Sequence, residues 1–370
     1  MALKKKIRFS REIGGPSIDD MIADGIEAER LGFDYLWVPD HLVDIQPVFA
    51  IYDAWTVLAF LSAKTEKIKL CSGVTDIQRM HPSKTANIVC TLDNLTKGRA
   101  VLGIGAGEIM NTKPYGISWE EKDARIGRLR EFLILIKSLW SSSYDKPANY
   151  GGKYYSLHDA HLSLPPLQTR GPPIYIGAFS SKAMLRLVGE IADGWYPGSI
   201  NTLEAFKEKV EVIREASKQA NRSIDSIDII AAIPTFVCSD KVNVHQVRQE
   251  IKSSLKREMV SNQYLFKALG LKKEEFAGPN FKDLGYQFAY PGKRYDKALE
   301  EAVSKLAIPD EVLEKGVDTM MAVGSANECI MSIKRFIEGG ATHIFFSNLA
   351  GNRENYQRIG KEIMASFVQE

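Results

Sequence analysis

The sequence predicts a (βα)8 barrel with insertions over the carboxyl ends of its strands. Three observations indicate this fold class: short apolar segments alternate with amphipathic ones along the chain, eight such units fit within 370 residues, and no repeat or low-complexity linker divides them. A doubly wound parallel sheet is the main alternative, because it uses the same alternating units. We expect a single domain that spans residues 1–370.

Eight segments have the length and composition of buried strands. They are residues 7–9, 35–38, 68–71, 100–104, 174–176, 194–196, 227–237 and 343–347. The helical segments between them are residues 18–31, 54–63, 83–95, 123–140, 182–191, 203–220 and 326–337. In the first helical segment Ile18, Ile22 and Ile26 recur at helical spacing, and Gly32 is the residue expected to end it.

Two segments interrupt this alternation, at about residues 141–173 and 256–310. The first is rich in Gly, Tyr and Pro, and the second contains the turn-forming sequences Gly278-Pro279-Asn280 and Tyr290-Pro291-Gly292. We expect these insertions to lie over the active-site end of the barrel and to shape a substrate pocket.

Composition argues against several classes of function. The chain has 48 basic and 46 acidic residues, so no field for binding nucleic acid is indicated. No apolar run approaches the roughly 18 residues that span a bilayer, and the N-terminus lacks a signal-peptide core. The four cysteines are scattered without CxxC spacing. We therefore expect a cytoplasmic protein with reduced thiols and no membrane partner.

Asp40 and His41 directly follow the second predicted strand. A histidine at the end of a barrel strand can give or take a proton near neutral pH, and the adjacent carboxylate can orient it or bind a ligand. A loop histidine that caps a helix would give the same pattern. Position alone leaves both interpretations open.

Glu108 comes directly after a glycine-rich segment, residues 103–107, in which the fourth predicted strand ends. Small residues would let a planar ligand approach the backbone, and a partly desolvated carboxylate there could act as an acid or base. The alternative is a surface glutamate at a helix N-terminus. The segment lacks the final glycine of a dinucleotide fingerprint, so it is weak evidence for a Rossmann fold.

Two more segments lie at expected strand ends. Residues 72–76 close the third strand, and residues 177–182 follow the fifth and begin a helix. Backbone N–H groups and serine hydroxyls at that helix could bind a phosphate, although Ser180 could equally be a plain N-cap. His158 and His161 are spaced like a metal pair but have no evident third ligand, so we predict no metal.

In their order along the chain, these motifs resemble the bacterial luciferase-like superfamily, and within it the branch that depends on the deazaflavin coenzyme F420. The order is Asp40-His41, Gly73-Val74-Thr75, the glycine-rich segment with Glu108 and Asn111, and Gly177-Ala178-Phe179-Ser180-Ser181. Residues 107–111 are similar to F420-dependent secondary alcohol and glucose-6-phosphate dehydrogenases. Residues 52–55, 96–100 and 113–116 resemble phthiodiolone ketoreductases, and residues 189–194 resemble methylenetetrahydromethanopterin reductase.

The resemblance implies a role for each matching residue. His41 would give or take a proton beside the reacting carbon, and Glu108 would be a second acid or base. Gly73 and Val74 would be joined by a non-prolyl cis peptide that bulges behind the coenzyme ring. The residues that would contact the coenzyme are Asp40, Gly73, Val74, Thr75, Ala106, Gly107, Asn111, Gly177, Ala178, Ser180 and Ser181, the last four at its phosphate.

The implied activity is F420-dependent hydride transfer to or from a carbonyl or alcohol, or the C1 carbon of a methylene-tetrahydropterin. An FMN-dependent monooxygenase of the same superfamily and a non-catalytic F420-binding protein are the alternatives. The resemblance also implies a homodimer.

The chain departs from these relatives on the substrate side. Ile45 stands where the alcohol and sugar dehydrogenases carry a tryptophan, and no cationic sugar-phosphate pocket is recognisable. The pterin reductases have an aspartate in place of Glu108 and a glutamate on the first strand, for which Glu12 is the candidate. Aromatic residues at 150–155 and 281–290 instead predict a roomy apolar pocket, suited to a pterin or a lipid-like ketone.

Overall fold

The computed structural model describes residues 6–43, 50–239, 241–261, 264–272, 293–347 and 352–368. In chain order the strands are β1 (Arg8–Glu12), β2 (Tyr35–Val38), β3 (Lys69–Ser72), β4 (Thr75–Asp76), β5 (Ala100–Gly105), β6 (Ala148–Gly151), β7 (Ser156–Ala160), β8 (Ile174–Gly177), β9 (Gly194–Tyr196), β10 (Asp228–Ala232), β11 (Thr235–Val237), β12 (Ala322–Gly324) and β13 (His343–Phe346).

The α-helices are Ile18–Arg30, Ala54–Ser62, Pro82–Leu95, Lys122–Trp140, Lys182–Ile191, Leu203–Gln219, Lys241–Ser261, Tyr264–Ala268, Lys293–Lys305, Asp310–Met320, Ala326–Glu338, Arg353–Arg358 and Ala365–Val368. A π-helical turn, Ile359–Met364, joins the last two. None of the helices within the described part of the chain combines the length and the apolar character that crossing a bilayer requires.

Eight of these strands close into a parallel barrel, which confirms the predicted fold class. Their order around the barrel is β3, β2, β1, β13, β10, β9, β8 and β5, and the pairing of β3 with β5 closes the ring. Each of the eight predicted strand segments supplies one barrel strand. The carboxyl ends of all eight strands therefore meet at one face, where barrel enzymes place their chemistry.

The barrel strands are apolar on both faces because each face is buried. In β2, Leu36 and Val38 pack against the surrounding helices, whereas Tyr35 and Trp37 point into the barrel. Aromatic side chains dominate the interior, where Tyr196 lies with its ring centroid 4.9 Å from that of Trp37. The interior is thus a packed core, and ligand space is available only above it.

The predicted strand at residues 227–237 is two strands. β10 belongs to the barrel, but β11 leaves it and pairs with β12. Pro234 lies between them and has no N–H with which to continue a strand ladder. The proline therefore explains why one apolar run forms two elements.

The first insertion forms a hairpin of β6 and β7 against the outside of the helix Lys122–Trp140. The carboxylate of Glu131, on that helix, accepts hydrogen bonds from the backbone N–H groups of Lys153, Tyr154 and Tyr155. The ring of Tyr155 packs edge-on to Phe132 at 5.9 Å. Contrary to our expectation for residues 150–155, these tyrosines contact the helix and are not among the residues that line the cavity at the barrel mouth.

Replacing Glu131 with alanine tests this placement. The three N–H groups would lose their shared acceptor, and we expect the hairpin to open locally at a cost of about 1 kcal/mol. Amide hydrogen exchange should accelerate at residues 153–155, whereas ligand binding at the barrel mouth should stay unchanged. If Glu131→Ala lost as much ligand affinity as a variant of a residue that lines the cavity, the hairpin could not lie outside the ligand site.

In its described residues, the second insertion contains four helices between β11 and β12. The helices Lys241–Ser261, Tyr264–Ala268, Lys293–Lys305 and Asp310–Met320 surround an apolar cluster of their own, which includes Leu255, Met259 and Leu313. The excursion is therefore wider than the predicted residues 256–310. The predicted aromatic wall, Phe281, Tyr286, Phe288 and Tyr290, and also Ile45, lies outside the described residues.

Candidate active site

A cavity of about 420 Å³ lies at the carboxyl ends of the barrel strands. Most of the predicted site residues border it, and Thr75 is buried just behind it. The predicted residues at the cavity are Asp40, His41, Gly73, Val74, Ala106, Gly107, Glu108, Asn111, Gly177, Ala178, Ser180 and Ser181. The sequence did not single out several others: Ile51, Phe179, Met184, Tyr196 and Gly198.

His41, Asn111 and Glu108 form a polar cluster at this cavity. Nδ1 of His41 lies 3.4 Å from the amide nitrogen of Asn111 and 3.5 Å from Oε2 of Glu108. The same amide nitrogen donates to Glu108 Oε2 at 3.2 Å. The amide can donate to a neutral imidazole, and the carboxylate can accept from a protonated one. The cluster can therefore stabilise His41 in both protonation states, as proton transfer requires.

Asp40 is held by a buried network rather than left open to a ligand. Thr75 Oγ1 donates to Asp40 Oδ2 at 2.6 Å, and Arg79 Nη2 donates to Asp40 Oδ1 at 3.0 Å. Arg79 also pairs with Asp76 through Nε at 2.7 Å. Burial acts to lower the pKa of Arg79, but the carboxylates of Asp40 and Asp76 raise it above its ordinary value. The guanidinium is therefore a permanent charge beside the site.

Val74 forms the floor of the cavity. The peptide bond between Gly73 and Val74 is cis, as the resemblance implies. A Cβ on Gly105 or Gly177 would lie only 3.2 or 3.1 Å from Cγ2 of Val74, and one on Gly103 only 3.0 Å from its Cγ1. The glycines at 103, 105 and 177 therefore make room for the Val74 side chain. This is a different reason from the ligand approach that the sequence suggested for the glycine-rich segment.

Glu12 and Tyr196 add a second polar pair to the cavity. Their side chains extend from β1 and β9, and the Tyr196 hydroxyl donates to Glu12 Oε2 at 3.4 Å. Burial, reinforced by the charge of Glu12, raises the pKa of Tyr196 well above its ordinary value. Tyr196 is therefore a neutral hydrogen-bond donor to Glu12 near physiological pH.

The helix Lys182–Ile191 begins at the edge of the cavity. Ser181 is its N-cap and accepts from the N–H of Met184, while Ser180 and Ala178 border the cavity directly. N–H groups in the first turn of a helix have no intrahelical acceptor, and the helix dipole favours negative charge there. The geometry suits an anion such as phosphate.

The other candidates from the sequence do not join this site. His158 lies on β7, and His161 packs edge-on to Tyr144 at 5.7 Å. Throughout the described ranges, no group of three or more His, Cys, Asp or Glu is arranged to hold a metal. All four cysteines are buried, and burial raises the pKa of Cys71 well above its ordinary value, so this thiol is not a nucleophile.

Known proteins resemble the chain over most of its length. A phthiodiolone/phenolphthiodiolone dimycocerosates ketoreductase of Mycobacterium sp. (strain JLS) is 30% identical over 308 residues, which are 77% of this chain and 76% of that protein. An F420-dependent glucose-6-phosphate dehydrogenase of Microbacterium testaceum is 28% identical over 365 residues, which are 96% of this chain and 95% of that protein.

Solved structures share the fold at lower identity. A coenzyme F420-dependent tetrahydromethanopterin reductase from Methanopyrus kandleri superposes with a TM-score of 0.78 at 23% identity, covering 98% of this chain and 99% of that one. A riboflavin lyase crystallised with modified FMN has a TM-score of 0.75 at 16% identity, covering 99% of this chain and 92% of that one. The family model described as luciferase-like monooxygenase matches residues 6–343. The chain therefore belongs to the luciferase-like monooxygenase family.

Proposed function

We propose that this protein is an F420-dependent oxidoreductase, in which His41 moves the proton that accompanies hydride transfer. The observation that carries the proposal is the cluster of His41, Asn111 and Glu108 beside a cavity with Val74 as its floor. Relatives named as F420-dependent support the choice of coenzyme. The substrate would be a carbonyl compound or alcohol, or a methylene-tetrahydropterin.

The described residues fit a planar coenzyme with a phosphate. Val74 offers an apolar surface for one face of a ring, and Ala106 and Gly107 border the same space. Ser180 and Ser181, at the helix N-terminus, supply hydroxyls for a phosphate. Coenzyme F420, when bound, supplies or accepts two electrons as hydride. The protein has to orient the reactants, exclude water and move one proton.

His41 is placed to move that proton through Nε2. Its Nδ1 faces Asn111 and Glu108, and we assign the proton to the other ring nitrogen because the side chain borders the cavity. Asn111 would fix the ring orientation through its amide.

The lining of the cavity disfavours a phosphorylated sugar. The described lining residues include the carboxylates of Glu12, Asp40, Asp76 and Glu108 but neither lysine nor arginine. A second phosphate, in addition to the one that we assign to the helix N-terminus, would need converging cationic groups of its own. We therefore expect a neutral ketone, alcohol or pterin, even though one relative is named as a glucose-6-phosphate dehydrogenase.

A direct test compares coenzymes and substrates side by side. Purified protein should bind F420 and change its absorbance with ketones, alcohols or methylene-tetrahydropterin, without consuming oxygen. Retention of FMN with oxygen uptake would favour the monooxygenase alternative. Tight F420 binding with no turnover across the panel would favour a non-catalytic F420-binding protein.

Changing Glu108 to glutamine should lower turnover by about 10- to 100-fold, because it replaces the carboxylate 3.5 Å from Nδ1 of His41 and disturbs the cluster that holds the ring. Glu121→Gln is the matched control, since Glu121 is exposed and outside the cavity. Equal activity of the two variants would contradict a role for Glu108 in proton transfer.

We also propose a homodimer, as the resemblance implies. The helix Ala54–Ser62 is apolar on nearly all sides, and Phe60 on its outer side is 52% exposed. Such a face suits a second copy. Sedimentation should show a dimer at micromolar concentration that Phe60→Glu weakens, and a parent monomer under those conditions would contradict the proposal.

The cytoplasmic location stays a prediction, which cell fractionation would test.

A further inference from the structure

The turn that carries His41, residues 40–43, is held at both ends by side chains from other parts of the chain. At one end, Asn111 Oδ1 accepts from the backbone N–H of Leu42 at 2.6 Å and of Val43 at 3.3 Å. At the other end, Arg79 Nη2 donates to the backbone carbonyl of Asp40 at 2.6 Å. His41 therefore lies between two restraints on its own backbone.

Arg79 grips the side chain of Asp40 as well. The same Nη2 donates to Asp40 Oδ1 at 3.0 Å, and Thr75 Oγ1 donates to the other carboxylate oxygen, Oδ2. The side chain of Arg79 is only 15% exposed, so water competes little for these hydrogen bonds. Backbone and side chain of the residue before His41 are thus fixed by one guanidinium.

Asp76 fixes the direction of that guanidinium. Its Oδ2 accepts from Arg79 Nε at 2.7 Å, while its Oδ1 accepts from the backbone N–H groups of Gln78 at 2.8 Å and Arg79 at 3.0 Å. The planar fork of arginine can serve Asp76 and Asp40 at once, which the single ammonium of lysine cannot. The hydrogen bonds of Arg79 to Asp76 and Asp40, which we call the Arg79 bracket, therefore connect β4 to the turn after β2.

We propose that Arg79 is a positioning residue for proton transfer by His41. The inference rests on the proposed function, because it deepens the role assigned to His41. Arg79 acts through the Asp40 backbone and sets where the imidazole stands relative to the substrate. Proton transfer depends on heavy-atom distances of about 2.6–3.2 Å, so a small shift of this turn is costly.

The first experiment is a double-mutant cycle on hydride transfer in a single turnover. Arg79→Lys should slow the step by about 10- to 100-fold in the parent, as expected for a displacement of about 1 Å. In a His41→Ala background the same change should have an effect within about twofold, because the group that it positions is absent. A loss above about fivefold in that background would overturn the proposal, since Arg79 would then act on the coenzyme or on folding.

Arg222→Lys is the matched control. Arg222 also donates to two backbone carbonyls, Gly189 at 2.9 Å and Ala192 at 2.6 Å, but at the far end of the helix Lys182–Ile191. Its replacement should lower stability without changing the single-turnover rate or its pH profile. If Arg79→Lys does not fold, Asp76→Asn gives the same test, because it leaves the guanidinium in place and replaces the charged acceptor with two oxygens by a neutral amide with one.

The second experiment uses the protein without coenzyme. Diethyl pyrocarbonate modifies exposed histidines, and the rate at each can be followed by mass spectrometry. Arg79→Lys should raise the rate at His41 several-fold, because the turn opens more often. The rates at His158 and His161, which are exposed on and near the hairpin, should stay the same.

The two experiments separate this proposal from the proposed function. An unchanged rate of modification at His41 would overturn the positioning role even if F420 turnover is found. If the protein fails to use F420, the proposed function is refuted. Faster modification of His41 in Arg79→Lys would then still support the Arg79 bracket.

Discussion

Replacing His41 with alanine is expected to lower turnover by roughly two to four orders of magnitude, the range for removal of a general acid or base. Coenzyme affinity should stay near that of the parent, because Val74, Ala106, Gly107, Ser180 and Ser181, which we assign to the ring and the phosphate, follow other strands. The loss should appear in kcat, with little change in the dissociation constant for F420. Stopped-flow absorbance and fluorescence titration measure the two quantities.

His158→Ala is the control for this variant. His158 is exposed on β7, away from the cavity, and its removal should leave kcat unchanged. Activity of His41→Ala within a few-fold of the parent would show that another group moves the proton. Tyr196, which is neutral and borders the same cavity, would be the next group to replace.

The barrel was predictable because its strands are buried on both faces. In runs such as residues 35–38 and 100–104 every position is buried, so no polar alternation interrupts them. The sequence did not distinguish β4 from the end of β3 or β11 from β10, because a strand of two or three residues carries no periodic signal. For β11, Pro234 was the available signal.

The residues that border the cavity could be predicted largely because they follow strand ends, where the chain leaves the barrel face. Arg79 had no such signal. It lies in the loop before the helix Pro82–Leu95, where an arginine is normally expected to be exposed to solvent. Its partner Asp40 is 39 residues earlier in the chain. Tyr196 lay in a predicted strand, but its contact with Glu12 joins residues 184 positions apart. Contacts of this kind depend on barrel closure, which a local pattern does not encode.

The glycine-rich segment shows how a correct position can have a different physical cause. The sequence suggested that its glycines let a ligand approach the backbone. In the structure a Cβ on Gly103 would lie 2.0 Å from the carbonyl oxygen of Ser72, as well as against Val74. The small residues are thus required by packing beneath the cavity. The part of the segment that borders the cavity is Gly105, Ala106 and Gly107.

The opposite end of the barrel interior contains a buried histidine, from which we expect the fold to be sensitive to acid. His343 on β13 is fully buried, with its ring 4.7 Å from that of Tyr35. Within the described part of the chain, neither ring nitrogen has a hydrogen-bond partner. Burial lowers the pKa of His343 to about 3, and the nearby Arg8 and Lys69 act in the same direction against Asp228. The folded protein therefore holds this imidazole neutral.

The free energy of unfolding should fall as the pH drops below about 6.5. Above that pH the histidine is neutral in both states; below it, the unfolded chain binds a proton that the folded chain does not, until the pH nears 3. Between pH 7 and pH 5 this single site should cost about 2 kcal/mol, at a slope approaching 1.4 kcal/mol per pH unit. Urea unfolding at several pH values should therefore give a flatter profile for His343→Leu than for the parent, while His158→Leu should follow the parent. Parallel profiles for the parent and His343→Leu would show that the histidine is already protonated in the folded state, or that acid acts elsewhere.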